Sequence, residues 1–281
     1  MRYRLLALDI DGTLLRPDGT LSPRVRDALG RAVAAGVSLL LCTGRRYRSA
    51  LEVLGGFTLS DLVACSSGAV IKRLGSWETV FSVPIERRLA ARVVEVVRGG
   101  GLRCLVIVDG PAEGPDFWYE VGSSENETYA AYMSRNAERY GHGVGDLARE
   151  LPPVPLQVCV PGQFDELAQL ERVVTERFGS GVHTSLVTNI RYPGCMLEIG
   201  DPGGCKHHAV EWVASSLGVD MSSVVAVGDD NNDVTMLRGA GLGVAMGNAV
   251  PALLALADEV VASNENDGVA EVVDRFILGP A

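Results

Sequence analysis

The sequence predicts an α/β fold: a doubly wound parallel-sheet core interrupted by an inserted α+β domain. Three observations carry this. Short continuous apolar runs at Tyr3 to Leu8, Val37 to Cys42, Leu62 to Cys65 and Val224 to Val227 read as strands buried on both faces, as in a parallel sheet. Stretches of helical periodicity separate these runs, so strand and helix alternate. Between Pro84 and Asn189 the alternation gives way to strand pairs with returning helices.

The elements follow in order. The first strand ends in Asp9-Ile10-Asp11-Gly12, a turn after a buried run. Ser22 and Pro23 supply an N-cap and a first-turn proline, and Val25, Leu29, Ala32 and Val33 line one helical face before Gly36. Helix-like Tyr47 to Leu54 lies between the strand Val37 to Cys42 and the strand Leu62 to Cys65. In the insertion, helices are predicted over Glu86 to Val97, Glu125 to Tyr140 and Phe164 to Phe178. Strands are predicted near Leu105 to Val108, Phe117 to Val121 and Gln157 to Val160. The core resumes with a helix over Lys206 to Leu217, stopped by Gly218, then the strand Val224 to Val227 and a further α/β succession. The expected domains are residues 1–83 with 190–281 as a discontinuous core, and 84–189 as the insertion.

Composition bounds the partners. The 281 residues are 47% hydrophobic and carry a net charge of −10, which argues against nucleic acid or an anionic membrane surface as partner. No apolar run approaches the roughly 20 residues that span a bilayer. The start does not read as a secretory signal, so a cytoplasmic location is expected. Cys42, Cys65, Cys104, Cys159, Cys195 and Cys205 form no C-x-x-C pair and are expected as reduced, buried thiols. Oligomeric state is left open. Only Lys72 and Lys206 among the 25 basic residues are lysine, so each is worth locating.

Asp9-Ile10-Asp11-Gly12-Thr13 is the strongest local signal. Active sites of open α/β sheets gather at the carboxyl ends of strands. Two carboxylates one residue apart on an extended strand end can share a face, where they repel and call for a divalent cation or a shared proton. Asp-Gly alone would be an ordinary turn; the full pentad after a buried strand points to chemistry. Thr43-Gly44-Arg45 follows the second strand. Lys206 opens a helix, where its charge opposes the helix dipole by ~0.3–1 kcal/mol unless an anion lies beside it. Gly228-Asp229-Asp230-Asn231-Asn232-Asp233 follows the strand Val224 to Val227, and a helix starting near Asn231 would put Asp233 about one turn beyond Asp229.

These four segments, in this order, resemble the motifs of the haloacid dehalogenase-like phosphohydrolases: D-x-D-G-T, a strand-end Thr or Ser, a lysine, and G-D-x-x-N-D. Lys206 fits by order and spacing, because Cys205-Lys206-His207 departs from the usual Lys-Gly. The insertion between the second and third motifs resembles the larger α/β cap, type IIB, of the Cof-type branch. Cys65-Ser66-Ser67-Gly68-Ala69, Gly241 to Ala249 and Asn266 to Ala270 resemble core stretches of the same Cof-type branch. The resemblance implies a Rossmann-like core and an Mg2+-dependent phosphatase acting on small phosphate esters, with sugar phosphates expected. It implies Asp9 as nucleophile, forming an aspartyl-phosphate, and Asp11 as acid and then base. Thr43, Gly44, Lys206 and Asn232 would hold phosphate. The metal would be held by the Asp9 carboxylate, the Asp11 backbone carbonyl and Asp229, with Asp233 in support.

The cap would select the substrate, with hinges near Ser82-Val83-Pro84 and around Asn189 to Glu198. Arg45, Arg46, Asn189, Arg191, Tyr192 and Glu198 are candidate substrate contacts, and each is equally explained as surface or structural pairing. His142, His183, His207 and His208 show no ligand spacing shared with an acid cluster. A phosphomutase and a non-catalytic phosphate sensor are the competing readings on the same fold.

Overall fold

The computed structural model describes residues 2–188 and 193–279. The chain divides into two units, Met1–Phe81 with Cys205–Ala281 and Ser82–Gly204. The first, the core unit, contains β1 (Leu5–Asp9), α1 (Pro23–Ala34), β2 (Ser38–Cys42), α2 (Tyr47–Val53), β3 (Leu62–Cys65), β4 (Val70–Arg73) and β5 (Thr79–Ser82) before the insertion. The second, the inserted unit, contains α3 (Arg87–Gly99), β6 (Leu105–Ile107), β7 (Phe117–Glu120), α4 (Glu127–Tyr140), β8 (Gly141–Val144), β9 (Gln157–Gly162), α5 (Phe164–Phe178), β10 (His183–Thr188) and β11 (Cys195–Gly200). The core unit then continues with α6 (Lys206–Ser216), β12 (Val224–Gly228), α7 (Val234–Gly239), β13 (Leu242–Ala245), α8 (Pro251–Leu256), β14 (Glu259–Val260) and α9 (Gly268–Val272).

The core sheet runs β14-β13-β12-β1-β2-β3-β4-β5. β1 lies in its middle, parallel to β12 on one side and β2 on the other. Leu5, Leu6, Ala7 and Leu8 have no exposed surface, as the uninterrupted apolar run requires of a strand covered on both faces. Burying a leucine of this kind is worth about 1.5–3 kcal/mol, which makes β1 a firm platform for the residue that ends it. Register aligns the strand ends: Asp9 lies opposite Cys42 of β2, and Leu8 lies opposite Val227 of β12. Asp9, Thr43 and Asp229 therefore emerge side by side at the carboxyl edge. The chain leaves β1 toward β2 and leaves β12 toward β13, so strand order reverses between β1 and β12, where ligands of doubly wound sheets bind.

Local signals behave as their chemistry dictates. The Ser22 hydroxyl accepts from the Val25 N–H at 3.1 Å and Pro23 opens α1. All six cysteines are buried, and none forms a disulfide. Among the described residues, no helix is long and apolar enough to cross a membrane. Lys72 is structural: buried on β4, it donates to the Trp77 carbonyl at 3.1 Å and the Thr79 hydroxyl at 2.8 Å.

The inserted unit carries its own sheet, β10-β11-β9-β6-β7-β8, antiparallel apart from the β7–β8 pair. Val93, Val97, Val106, Val158, Leu167 and Leu197 belong to its separate apolar core. The expected return to the core unit at residue 190 is corrected to Cys205. β11 pairs antiparallel with β10 and with β9, setting Leu197 opposite both Leu186 and Val160. An apolar run such as Met196 to Ile199 suits either sheet by composition, and only its hydrogen-bonded neighbours assign it. The division before the insertion lies at Ser82.

Candidate active site

The site is built at the carboxyl edge of the core sheet. Asp9, the last residue of β1, is 5% exposed, and the Lys206 ammonium donates to its Oδ1 at 2.5 Å. The same ammonium donates to Asp233 Oδ1 at 2.6 Å. Lys206 and Asp233 have no exposed surface. The anion that a lysine at a helix start requires is thus supplied by two carboxylates, and a solvated lysine is excluded. Lys206 opens α6, and Gly68 presses on that opening: a Cβ at Gly68 would lie 2.4 Å from the Cys205 carbonyl carbon. Gly68 also adopts φ +99, a conformation that side-chain-bearing residues resist.

Asp233 ends a short 3-10 turn, Asn231–Asp233, after β12. Its Oδ2 accepts the backbone N–H of Asp229 at 3.0 Å and of Asp230 at 3.1 Å. Both Asp233 oxygens are therefore occupied, Oδ2 by the loop carrying Asp229 and Oδ1 by Lys206. The Thr13 hydroxyl donates to Asp229 Oδ1 at 2.7 Å. Gly12, at φ +81, lies against the same carboxylate; a Cβ there would fall 2.1 Å from Asp229 Oδ2. The Asn248 side-chain amide donates to the Gly12 carbonyl at 2.8 Å, tying the turn after β1 to the chain after β13.

Asp9, Asp229 and Asp233 each bring a carboxylate oxygen within 4.8 Å of the others. Burial, opposed by Lys206 and reinforced by Asp233, Asp229 and Asp11, raises the Asp9 carboxyl well above the ordinary range. Burial and then Asp233 push Asp229 up to about 8. Burial disfavours the charged form of Lys206, but the two carboxylates prevail and hold it firmly protonated. One ammonium does not neutralise three crowded carboxylates. All-oxygen donors with excess negative charge fit a hard divalent cation such as Mg2+.

The structure separates Asp11 from this group. Arg45 donates to both Asp11 carboxylate oxygens, a fork across the mouth of the site. The expected crowding of Asp9 against Asp11 is thus relieved by two different cations, Lys206 and Arg45. The Asp11 carboxylate is not one of the clustered donors, which leaves its backbone carbonyl as the donor expected from it. Thr43 is buried, and its hydroxyl oxygen accepts the Arg45 N–H at 3.1 Å; Gly44, half-buried, completes that turn. Asn232 donates to the Ser67 hydroxyl at 3.2 Å. Ser66 and Ser67 adopt φ 49 and 52, and their N–H groups donate to the carbonyls of Arg45 and Thr43.

Of the remaining candidates, Arg46 stands at the N-cap position of α2 without a side-chain cap, and Glu198 is buried on β11 of the inserted unit. Asn189, Arg191 and Tyr192 lie outside the described residues. Thr13 and Asn248 received no role from the sequence. Thr13 stood in the opening pentad as a visible signal, whereas Asn248 had none beyond the stretch around it.

Comparison with known proteins follows the same lines. The family model described as haloacid dehalogenase-like hydrolase matches residues 6–273. The chain is 28% identical to the putative phosphatase YxeH of Bacillus subtilis, over 98% of this chain and 99% of that one. It is 29% identical to the pyridoxal phosphate phosphatase YbhA of Escherichia coli, over 99% and 100%. Its fold matches that of the solved HAD subclass IIB sugar phosphatase BT4131 with a TM-score of 0.77, at 20% identity over 97% and 98% of the two chains.

Proposed function

The chain belongs to the haloacid dehalogenase-like hydrolases, and from that premise we propose a Mg2+-dependent phosphatase of small phosphorylated metabolites, sugar phosphates foremost. The carrying observation is the Asp9 carboxylate, held at the end of the central strand by Lys206 at 2.5 Å. The names of the relatives agree with the class: one is a pyridoxal phosphate phosphatase, and a protein of the same fold is a sugar phosphatase.

In this reading Asp9 attacks phosphorus in line and the ester oxygen leaves, producing an aspartyl-phosphate. Lys206 fixes the plane of the Asp9 carboxylate by engaging one oxygen. Asp11 delivers a proton to the leaving oxygen and then takes one from the water that cleaves the acyl phosphate, returning Asp9. To do so it must exchange Arg45 for the reacting oxygens. The Thr43 hydroxyl, which accepts from Arg45, keeps its own hydrogen for a phosphate oxygen, with the Gly44 N–H and the Asn232 amide beside it. The Asp9 and Asp229 carboxylates and the Asp11 carbonyl would hold Mg2+, with Asp233 orienting Asp229. The cation supplies charge neutralisation to a dianionic substrate among aspartates.

The test is phosphate release from a generic aryl phosphate and from a panel of sugar phosphates, nucleotides and pyridoxal phosphate. Turnover that needs Mg2+ and vanishes in Asp9→Asn is expected. Turnover surviving Asp9→Asn would sink the nucleophile assignment.

A further inference from the structure

We infer that α6 carries a second metal site, of the zinc class, formed by His207, His208 and Glu211 and separate from the aspartate cluster. One donor atom from each of the three lies within 4.8 Å of the other two. Helix geometry explains the grouping. At ~100° per residue, His208 stands about 100° around the axis from His207, while Glu211 returns to about 40°, between the two rings. By spacing alone these histidines share no acid cluster, but Glu211 supplies a carboxylate at i+4 from His207 and i+3 from His208. Two imidazoles and one carboxylate suit Zn2+, whereas Mg2+ prefers oxygen alone. Donors about 2.0–2.1 Å from a tetrahedral zinc stand about 3.3 Å apart, so the exposed His208 and Glu211 side chains would close on the His207 ring.

Two further observations orient the rings. Cys205 Sγ lies 3.2 Å from His208 Nδ1, which leaves Nε2 of that ring for a ligand, the arrangement by which a partner on one imidazole nitrogen sets the other for metal. His207 Nδ1 is buried without a partner and walled by Gly239, where a Cβ would lie 2.1 Å from it. His208 and Glu211 are exposed, so an ion can enter and water can complete the shell. A bound zinc would tie together the first two turns of the helix that begins with Lys206.

The experiment uses the purified full chain, stripped by chelator and returned to saturating Mg2+ so that the aspartates are occupied. Calorimetric titration with Zn2+, and Co2+ titration read by visible ligand-field absorption, should show one equivalent bound. His208→Ala and Glu211→Ala, both at exposed positions, should each weaken binding by at least about tenfold, with Asp9→Asn unchanged. Absence of uptake in saturating Mg2+ overturns the inference. So does uptake that survives both α6 substitutions, which would place the ion on thiols or aspartates.

Discussion

Replacing Lys206 with methionine removes a charge and little volume, and it isolates the interaction on which the site rests. The ammonium contacts Asp9 at 2.5 Å and Asp233 at 2.6 Å, with no exposed surface on Lys206 or Asp233. At an effective dielectric constant of about 20, each contact carries a gross attraction of about 6–7 kcal/mol. Desolvation offsets most of it, yet removing one partner of a buried pair still costs about 3–5 kcal/mol, because the remaining charge is uncompensated. Against a stability of about 5–15 kcal/mol, the variant should fold near threshold. Urea unfolding followed by circular dichroism in EDTA measures this. The decisive arm is the double variant Lys206→Met with Asp9→Asn, which removes part of the stranded charge and should recover stability over the single variant. Wild-type stability within about 1 kcal/mol for Lys206→Met, or no recovery in the double variant, would refute the reasoning.

Gly12→Ala forces a Cβ to within 2.1 Å of Asp229 Oδ2 at φ +81, so a loss of at least about 1–3 kcal/mol is expected in thermal unfolding, together with weakened Mg2+ binding. Thr13→Val deletes a 2.7 Å hydrogen bond to the half-buried Asp229 carboxyl; a loss of about 0.5–1.5 kcal/mol in metal-free unfolding and a tenfold or greater rise in the Mg2+ concentration for half-maximal activity should follow. The pH dependence has a definite sign. Asp229 is raised from 3.8 to about 8, so between these values the folded chain keeps a proton that the unfolded chain has released. Metal-free stability should therefore fall as pH rises across that window, and a thermal midpoint in EDTA that climbs from pH 5 to pH 8 would contradict it. Saturating Mg2+ should raise the midpoint most at the alkaline end, where it meets least competition from protons.

Much of this was legible in the sequence because the signals were local. Leu5 to Leu8 needed no partner to read as a doubly covered strand, and Ser22-Pro23 announced a helix start from its own chemistry. The order of the four motif segments placed Asp9, Thr43, Lys206 and Asp229 in one site before any geometry was known. The strand β11 was missed because the apolar run Met196 to Ile199 fits either sheet, and its hydrogen-bonded neighbours β9 and β10 decide. The pairing of Asp11 with Arg45 was missed because residues 34 apart in sequence meet only when β1 and β2 align.

The two lysines show where the division falls. Sequence alone determined that both were unusual in an arginine-rich chain and that Lys206 opened a helix, and it pointed to phosphate as the anion beside that lysine. Strand polarity, caps and turn glycines are properties of neighbouring residues, and a sequence displays neighbours. Only the tertiary structure decided that Lys72 is a satisfied buried cation, that Lys206 bridges Asp9 and Asp233, and that the insertion extends to Gly204. Those outcomes depend on register and burial. Charges separated by 197 and 27 residues became one buried cluster because the sheet aligned the strand ends and excluded water around them.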